Sequence, residues 1–367
     1  MKFKIVRSKF LDTLKKVQNI VGSKGTMMIL QNVLLEAKEK SIFLTTTDLD
    51  ISICSSIECE VIEEGTTTLP VKLLFNSISK ACEGLVEFEI DANDHAMISA
   101  GSAVFKMSGL SSVNFPPLPI AQNAFEYVLS QARLHDMLLK CHYAAAQQDG
   151  HRTLKGVLMS FKQNKVTVVA TDGRRLALAE DDSVQFPSEE DRDIILPIKV
   201  VSELLRTLGQ EGEVRVSVEK TQIAFNLGDT RIYSKLVDEI YPNYILVIPG
   251  ALAERVTIDR QLLLNALERT AVMKVDESNA TKLTFEANQL TVSSTTAEAG
   301  SARDVVPIRY DGPHIDIEFN PNYVMDPLRV IDDDEIFIEL TDGKTAAMLK
   351  CSTPFLYVMM PLNTSRN

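Results

Sequence analysis

The chain of 367 residues has no tryptophan, only five cysteines, only five histidines, and no apolar run near the length a membrane crossing needs. Each shortage excludes something. A bilayer helix asks for about 18–20 consecutive apolar residues, so no spanning segment and no membrane partner are expected. The opening Met1-Lys2-Phe3-Lys4-Ile5-Val6 carries no apolar core followed by a small-residue cleavage site, which points to a soluble, cytoplasmic protein. Cys54, Cys59, Cys82, Cys141 and Cys351 are scattered and odd in number, whereas a metal site wants paired spacing. They read as reduced, mostly buried thiols. His95, His135, His142, His151 and His314 form no H-E-x-x-H or H-x-E…C-x-x-C pattern, and neither a G-x-S-x-G, a Walker A nor a G-x-G-x-x-G motif occurs. The acidic runs Glu189-Glu190-Asp191 and Asp332-Asp333-Asp334-Glu335 lack the turn-spaced ligands and glycine of a calcium loop and read as solvated loops. No catalytic residue, cofactor or metal is expected.

Apolar content of 45% and charged content of 24% are those of an ordinary globular chain, long enough for two or three domains. Within it, residues 168–180 stand out. Val168, Val169 and Ala170 predict a buried strand, Asp172-Gly173 a tight turn, and Leu176 to Ala179 the returning strand, because glycine supplies the positive φ that a short hairpin loop requires. The stretch has an echo about 124 residues earlier, Leu44-Thr45-Thr46-Thr47-Asp48-Leu49-Asp50, and it carries the adjacent Arg174 and Arg175 in an acidic protein.

That echo belongs to a threefold repeat, a pattern that decides the fold when present. A short strand followed by an amphipathic helix occurs at 2–6 and 7–21, with Phe10, Leu11, Leu14, Val17 and Val21 on one face. It returns at 125–130 and 132–146, with Leu134, Met137, Leu138 and Cys141 inward, and at 255–258 and 259–273, with Leu262, Leu263, Ala266 and Leu267 inward. Mid-unit, Leu69-Pro70-Val71-Lys72, Leu196-Pro197-Ile198-Lys199 and Phe319-Asn320-Pro321-Asn322 each lead into a second helix, with proline at or near the start, where its missing N–H costs nothing. Alternating β segments are expected at 41–46, 84–90, 165–170, 213–218, 282–286 and 335–340. Pro-rich segments near 115–121 and 241–250 read as linkers, giving three α+β domains of about 120 residues.

The six expected helices carry formal charges of +3, +2, +1, +1, +1 and 0, which is +8 in a chain of −12 and leaves −20 on strands and loops. Such segregation suits helices that share one surface meeting phosphates, with an acidic exterior that repels them elsewhere. On residues alone two other classes stay open: an enzyme acting on nucleic acid around Asp172 to Arg175, and a three-domain scaffold that binds proteins only.

The ordered set of the triplicated unit, Thr171-Asp172-Gly173-Arg174-Arg175-Leu176-Ala177, Tyr241-Pro242-Asn243-Tyr244…Ile248-Pro249 and the terminal Met360-Pro361-Leu362 resembles the bacterial DNA polymerase III β subunit family, the replicative sliding clamps, along the whole chain. The resemblance implies an α+β fold of three tandem clamp domains (1–118, 122–245 and 248–367), each with two helices packed on antiparallel sheets. Two chains would close a head-to-tail homodimeric ring of pseudo-sixfold symmetry, helices inside, around double-stranded DNA. It implies a non-catalytic processivity factor that slides without sequence preference. Through linear peptide motifs it would tether the replicative polymerase catalytic subunit, the clamp loader, translesion polymerases and mismatch-repair proteins. By similarity Lys24, Lys72, Gln148 and Lys199 face DNA, and Phe105 and Met107 meet Val272 and Met273 across the ring seam. A hydrophobic cleft between the second and third domains would use Leu154, Thr171, Gly173, Arg174, Arg175, Leu176, Pro242, Leu246, Val247, Val358, Met359, Met360, Pro361 and Leu362. Arg174 stands where the family often has histidine, Leu246 where arginine is frequent, and Asn363 departs from the common Met-Pro-x-Arg ending. These departures fall on the polar rim of the cleft.

Overall fold

The computed structural model describes residues 1–22, 27–118, 124–147, 153–184, 186, 191–273, 280–296 and 300–362. The first repeat comprises β1 (Lys2–Val6), α1 (Arg7–Val17), β2 (Asn32–Lys38), β3 (Ser41–Thr47), β4 (Ile51–Glu58), β5 (Glu60–Glu63), β6 (Gly65–Pro70), α2 (Val71–Lys80), β7 (Leu85–Ile90), β8 (His95–Ala100) and β9 (Ala103–Ser108). The second comprises β10 (Phe125–Ser130), α3 (Gln131–Cys141), β11 (Gly156–Lys162), β12 (Lys165–Thr171), β13 (Arg175–Asp181), β14 (Arg192–Pro197), α4 (Ile198–Thr207), β15 (Glu213–Val218), β16 (Gln222–Asn226) and β17 (Thr230–Lys235). The third comprises β18 (Glu254–Asp259), α5 (Arg260–Ala271), β19 (Thr281–Glu286), β20 (Gln289–Thr296), β21 (Gly300–Arg309), β22 (Ile315–Phe319), α6 (Pro321–Val330), β23 (Glu335–Leu340), β24 (Ala347–Lys350) and β25 (Phe355–Met359). Each repeat therefore runs strand, helix, a block of strands, helix, three strands, as the landmarks predict.

The chain packs as two compact units, 1–134 with 202–236, and 135–201 with 237–367. The first unit holds a five-stranded sheet, β5-β1-β7-β8-β9, and an eight-stranded sheet, β10-β15-β16-β17-β4-β3-β2-β6. Under the five-stranded sheet Phe3 stacks on Phe88 at 4.5 Å and Phe10 of α1 meets Phe88 edge-on at 5.0 Å, an aromatic core with the geometry ring quadrupoles favour. The second unit holds one continuous sheet, β14-β11-β12-β13-β25-β24-β23-β18-β21-β20-β19-β22. In each unit one antiparallel strand pair joins successive repeats: β4 with β17, where Ser55 faces Thr230, and β13 with β25, where Ala179 faces Phe355.

Several expectations shift in detail. The first helix of each repeat stops earlier, at Val17, Cys141 and Ala271, and the first two continue as single 3₁₀ turns at Gln18–Ile20 and His142–Ala144. Leu262 does not point inward as expected; it is 43% exposed, while Leu263, Leu264, Ala266 and Leu267 are buried. At 100° per residue Leu262 and Leu264 flank the Leu263–Leu267 stripe on opposite sides, and only the Leu264 flank meets packing. Leu11 of α1 is only half-buried, for the same kind of reason. Of the five cysteines, all free, only Cys141 is buried; Cys82 is exposed, and Cys54 within β4 and Cys59 and Cys351 in connections are half-buried. Burial pushes the thiol pKa of Cys59 up to about 11 and that of Cys141 higher still, so both stay protonated.

Candidate functional site

The 165–181 hairpin is built by its own side chains. Thr171 faces Leu176 across the ladder, so the two-residue loop is Gly173-Arg174, one position later than an Asp-Gly loop would fall. Gly173 sits at φ +85° as the first loop residue, where a primed hairpin turn requires a left-handed conformation. Asp172 Oδ1 accepts the backbone N–H groups of Arg174 (2.9 Å) and Arg175 (3.0 Å), and the Thr171 hydroxyl donates to the Arg175 carbonyl at 2.6 Å. An Asp in this role shortcuts the turn's own backbone bonding. With its other oxygen on Arg175, this carboxylate is committed to structure, and the enzyme reading of the turn loses its base.

The two arginines part ways. Arg174 is exposed. Arg175 is 9% exposed, and its guanidinium donates from Nε to Asp172 (3.1 Å), from Nη1 to Asp326 of α6 (2.5 Å) and from Nη2 to the Tyr143 carbonyl (2.6 Å). It also lies 4.6 Å from the Tyr323 ring centre and 5.7 Å from that of Tyr143. Burial opposes its charge, but Tyr357 and the Asp326 carboxylate outweigh burial and raise its pKa above the ordinary arginine value.

Beside the hairpin, β25 pairs with β13 so that Leu176 faces Val358 and Arg175 faces Met359, and the Met360 N–H continues the ladder to the Arg174 carbonyl at 2.9 Å. Alternation along the strands sorts the expected cleft residues onto two faces. Leu176 and Val358 join Leu158, Val169 and Met348 in an apolar cluster, against which Leu178, Tyr241, Tyr244, Ile248, Leu252, Ala346 and Leu356 pack. Met359 is fully buried on the opposite face, with Arg175. Pro242, Leu246, Val247 and Met360 are exposed; Leu154, Thr171, Pro361 and Leu362 are half-buried; Gly173 is exposed at the hairpin tip. The connector bearing Tyr241, Pro242 and Tyr244 walls a cavity of about 710 Å³ whose floor includes Leu158, Leu178 and Ile195, and whose flanks carry the ion pairs Lys162–Asp193 (2.6 Å) and Lys165–Glu180 (2.8 Å). Leu158 and Tyr244 were not singled out for the cleft by sequence. The signal for Leu158 was present in the alternation of β11, which sets it opposite Val169.

Lys72 of α2 and Lys199 of α4 are exposed. Lys24 and Gln148 lie outside the described residues. Many other helix cations are engaged within the fold. Lys16 pairs with Asp229 (3.1 Å), Arg7 with Glu83, Arg269 with Asp304 (2.5 Å) and Arg329 with Glu268 (3.1 Å), and Lys140 is buried between Asp136 (2.8 Å) and Thr353 (3.2 Å). Among the described residues Lys9, Lys72, Lys80 and Arg133 form no ion pair, and these are the helix cations most available to phosphates.

On the expected seam, Val272 is 76% exposed, Phe105 and Met273 are half-buried, and Met107 is buried within the chain, 6% exposed. Among the described residues no group of three or more His, Cys, Asp and Glu side chains converges as metal ligands, and no helix is long and apolar enough to cross a membrane.

Three tandem α+β domains joined by strand pairing define a DNA-clamp architecture. Family models agree: the N-terminal, central and C-terminal domains of the DNA polymerase III beta subunit match residues 1–119, 128–243 and 246–363. The beta sliding clamp of Chlamydia trachomatis is 30% identical over 362 residues, covering 99% of this chain and 87% of that protein. Among solved structures, the Pseudomonas aeruginosa DNA polymerase III subunit beta superposes with a TM-score of 0.93 at 29% identity, over 99% of this chain and 100% of the other. A Bartonella birtlesii sliding clamp bound to griselimycin superposes at 0.94 and 29% identity, over 99% and 100%. The chain belongs to the DNA polymerase III beta subunit family. It is a sliding clamp, a processivity factor of DNA replication and a non-catalytic subunit.

Proposed function

We propose that two copies of this chain close head-to-tail into a ring around double-stranded DNA, with domains at 1–118, 122–245 and 248–367, and that a cleft formed by the connector, the 171–176 hairpin and the 358–362 tail takes linear peptides from the partners named above. One observation carries the ring. The central repeat gives β17 to the repeat before it and β13 to the repeat after it, so two such junctions are made inside the chain. The outstanding pair is left open: β9 pairs only with β8, and residues 300–306 of β21 pair only with β20 among the described residues. Open edges invite strand addition, and a second copy supplies the complementary one. Held by topology, the ring needs only weak phosphate contacts from residues such as Lys72 and Lys199, with Lys24 and Gln148 as further candidates, and weak contacts permit sliding.

In the cleft, Leu176, Val358 and Pro242 form the apolar wall, Leu246, Val247, Met360, Pro361 and Leu362 the mouth, and Arg174 the polar rim. Griselimycin, bound by the Bartonella birtlesii clamp, is the natural probe of this site. The test of the ring is retention: after loading, the protein stays on nicked circular plasmid and runs off once the plasmid is linearised. Equal retention on both would mean adhesion rather than encirclement. Removing residues 360–363 is expected to weaken griselimycin binding by about 1–3 kcal/mol while the dimer mass is unchanged, as loss of central apolar anchors does.

A further inference from the structure

After its last strand, each repeat sends a short exit segment back to a sheet edge of its own. In the first, Leu110 lies just past β9 and exchanges two backbone bonds with Thr68 of β6, at 3.0 Å and 3.1 Å. The Thr68 hydroxyl adds a third, to the Leu110 carbonyl at 2.8 Å. In the second, Val237 lies just past β17, and its N–H donates to the Ile195 carbonyl of β14 at 3.1 Å. In the third, the Leu362 N–H donates to the Glu318 carbonyl of β22 at 2.8 Å. The three acceptors stand in one place. β6, β14 and β22 are edge strands, and Thr68, Ile195 and Glu318 each come three residues before the start of the second helix, at Val71, Ile198 and Pro321.

The bond before the pin recurs as well. The Lys235 N–H donates to the Asp50 carbonyl at 2.9 Å, and the Met360 N–H donates to the Arg174 carbonyl at 2.9 Å. Lys235 and Val237 each precede Met360 and Leu362 by 125 positions, and Asp50 precedes Arg174 by 124. The C-terminal tail is thus a third copy of a device that the chain uses twice elsewhere.

One position sets the tail apart. Between the two bonds of the second repeat stands Leu236, whose N–H donates to the Thr221 carbonyl at 2.9 Å. The tail has Pro361 there, which has no N–H to give. Its ring stiffens the segment, but the hold on either side falls to the amides of Met360 and Leu362. Met360 is 46% exposed, so its own packing holds it only in part. A wall pinned at both ends is already ordered when a ligand arrives. With the far pin gone, the ligand would have to order it, and binding would weaken by that amount.

Resting on the cleft reading above, we infer that Leu362 is a positioning residue. Its backbone N–H, seated on the Glu318 carbonyl, holds Met360 and Pro361 as a standing wall of the peptide cleft. The effect runs through the main chain, so it depends on the donor more than on the size of the side chain.

The experiment uses the full chain and griselimycin. Leu362→Pro removes the donor and keeps apolar bulk, whereas Leu362→Ala keeps the donor and removes the bulk. Leu362→Pro is expected to weaken griselimycin binding about tenfold, as newly required ordering of about one residue would, and to weaken it more than Leu362→Ala does. A chain ending at Pro361 should match Leu362→Pro. The urea midpoint should be the same in all four proteins, whereas a purely structural role would lower it. Hydrogen exchange of the tail, read by mass spectrometry, should show the Met360 amide exchanging faster in Leu362→Pro than in the parent. Binding weakened as much by Leu362→Ala as by Leu362→Pro would make the side chain a direct contact and overturn the inference. Unchanged Met360 exchange in Leu362→Pro would overturn it too. Failure of the parent chain to bind griselimycin would instead overturn the cleft reading on which the inference rests.

Discussion

At the scale of single residues, two neighbouring arginines divide the work of the hairpin. Arg174 is exposed at the tip, while Arg175 ties the turn to α6 and to the 3₁₀ turn at 142–144 through three donated bonds. A planar fork can do this and an ammonium cannot. Arg175→Ala is expected to destabilise the protein by about 3 kcal/mol, because it leaves the partly buried Asp326 carboxylate with only the longer contact to Arg329 at 3.9 Å. Arg174→Ala should move the denaturation midpoint little. Chemical denaturation of both variants checks the contrast; equal effects would mean that Arg175 is not the clasp. The sequence singled out the pair because adjacent arginines are unusual in an acidic chain. It could not say which one turns inward, since that depends on Asp326, 151 positions away.

At the scale of elements, the threefold recurrence of strand and helix was legible because hydrophobic period and proline placement are local signals. What was not legible is where helices end and which flank of a helix finds packing. Leu262 shows why: periodicity defines a stripe, but its edge is decided by the neighbouring strands, and those come from distant sequence. Leu263→Ala should cost about 2–5 kcal/mol, the usual toll of an internal cavity. Leu262→Ala should stay within about 0.5 kcal/mol, as exposed substitutions do. Thermal or urea unfolding of the two variants separates these outcomes. The cleft shows the same division. Leu176 and Val358, both expected in the cleft, face each other across the β13–β25 ladder, whereas Met359 and Arg175 share the opposite face because a strand presents successive residues to opposite sides.

For the whole molecule, the helix charge of +8 marks a real bias, but much of it neutralises acids within the fold. Counting charge by element sees composition and not partners, which is why the sequence overstated how many cations remain for phosphate. The titrating groups also set a pH window. The carboxyl pKa of Asp304 lies below the usual value through the Arg269 hydrogen bond, and that of Asp342 through two backbone N–H groups. A lowered pKa contributes stability that is present above about pH 4 and lost as pH falls through the folded value. The Cys59 and Cys141 thiols, raised by burial, act at the other end. Their contribution is whole below about pH 8.5 and drains away as pH climbs toward 11 and beyond. The urea midpoint is therefore expected to be level from about pH 5 to 8 and to fall on either side. A midpoint still climbing at pH 10 would contradict this assignment.

The paired strands β4–β17 and β13–β25 have a kinetic consequence. Their partners are tethered by the same polypeptide, so after any momentary fraying they find each other again in a first-order step that dilution cannot slow. In the proposed ring the joint between two copies would have no such leash, and its re-formation would be second order. Three joints of one design would then differ in a single respect, and dilution would always part the ring at the joint that no peptide bond spans.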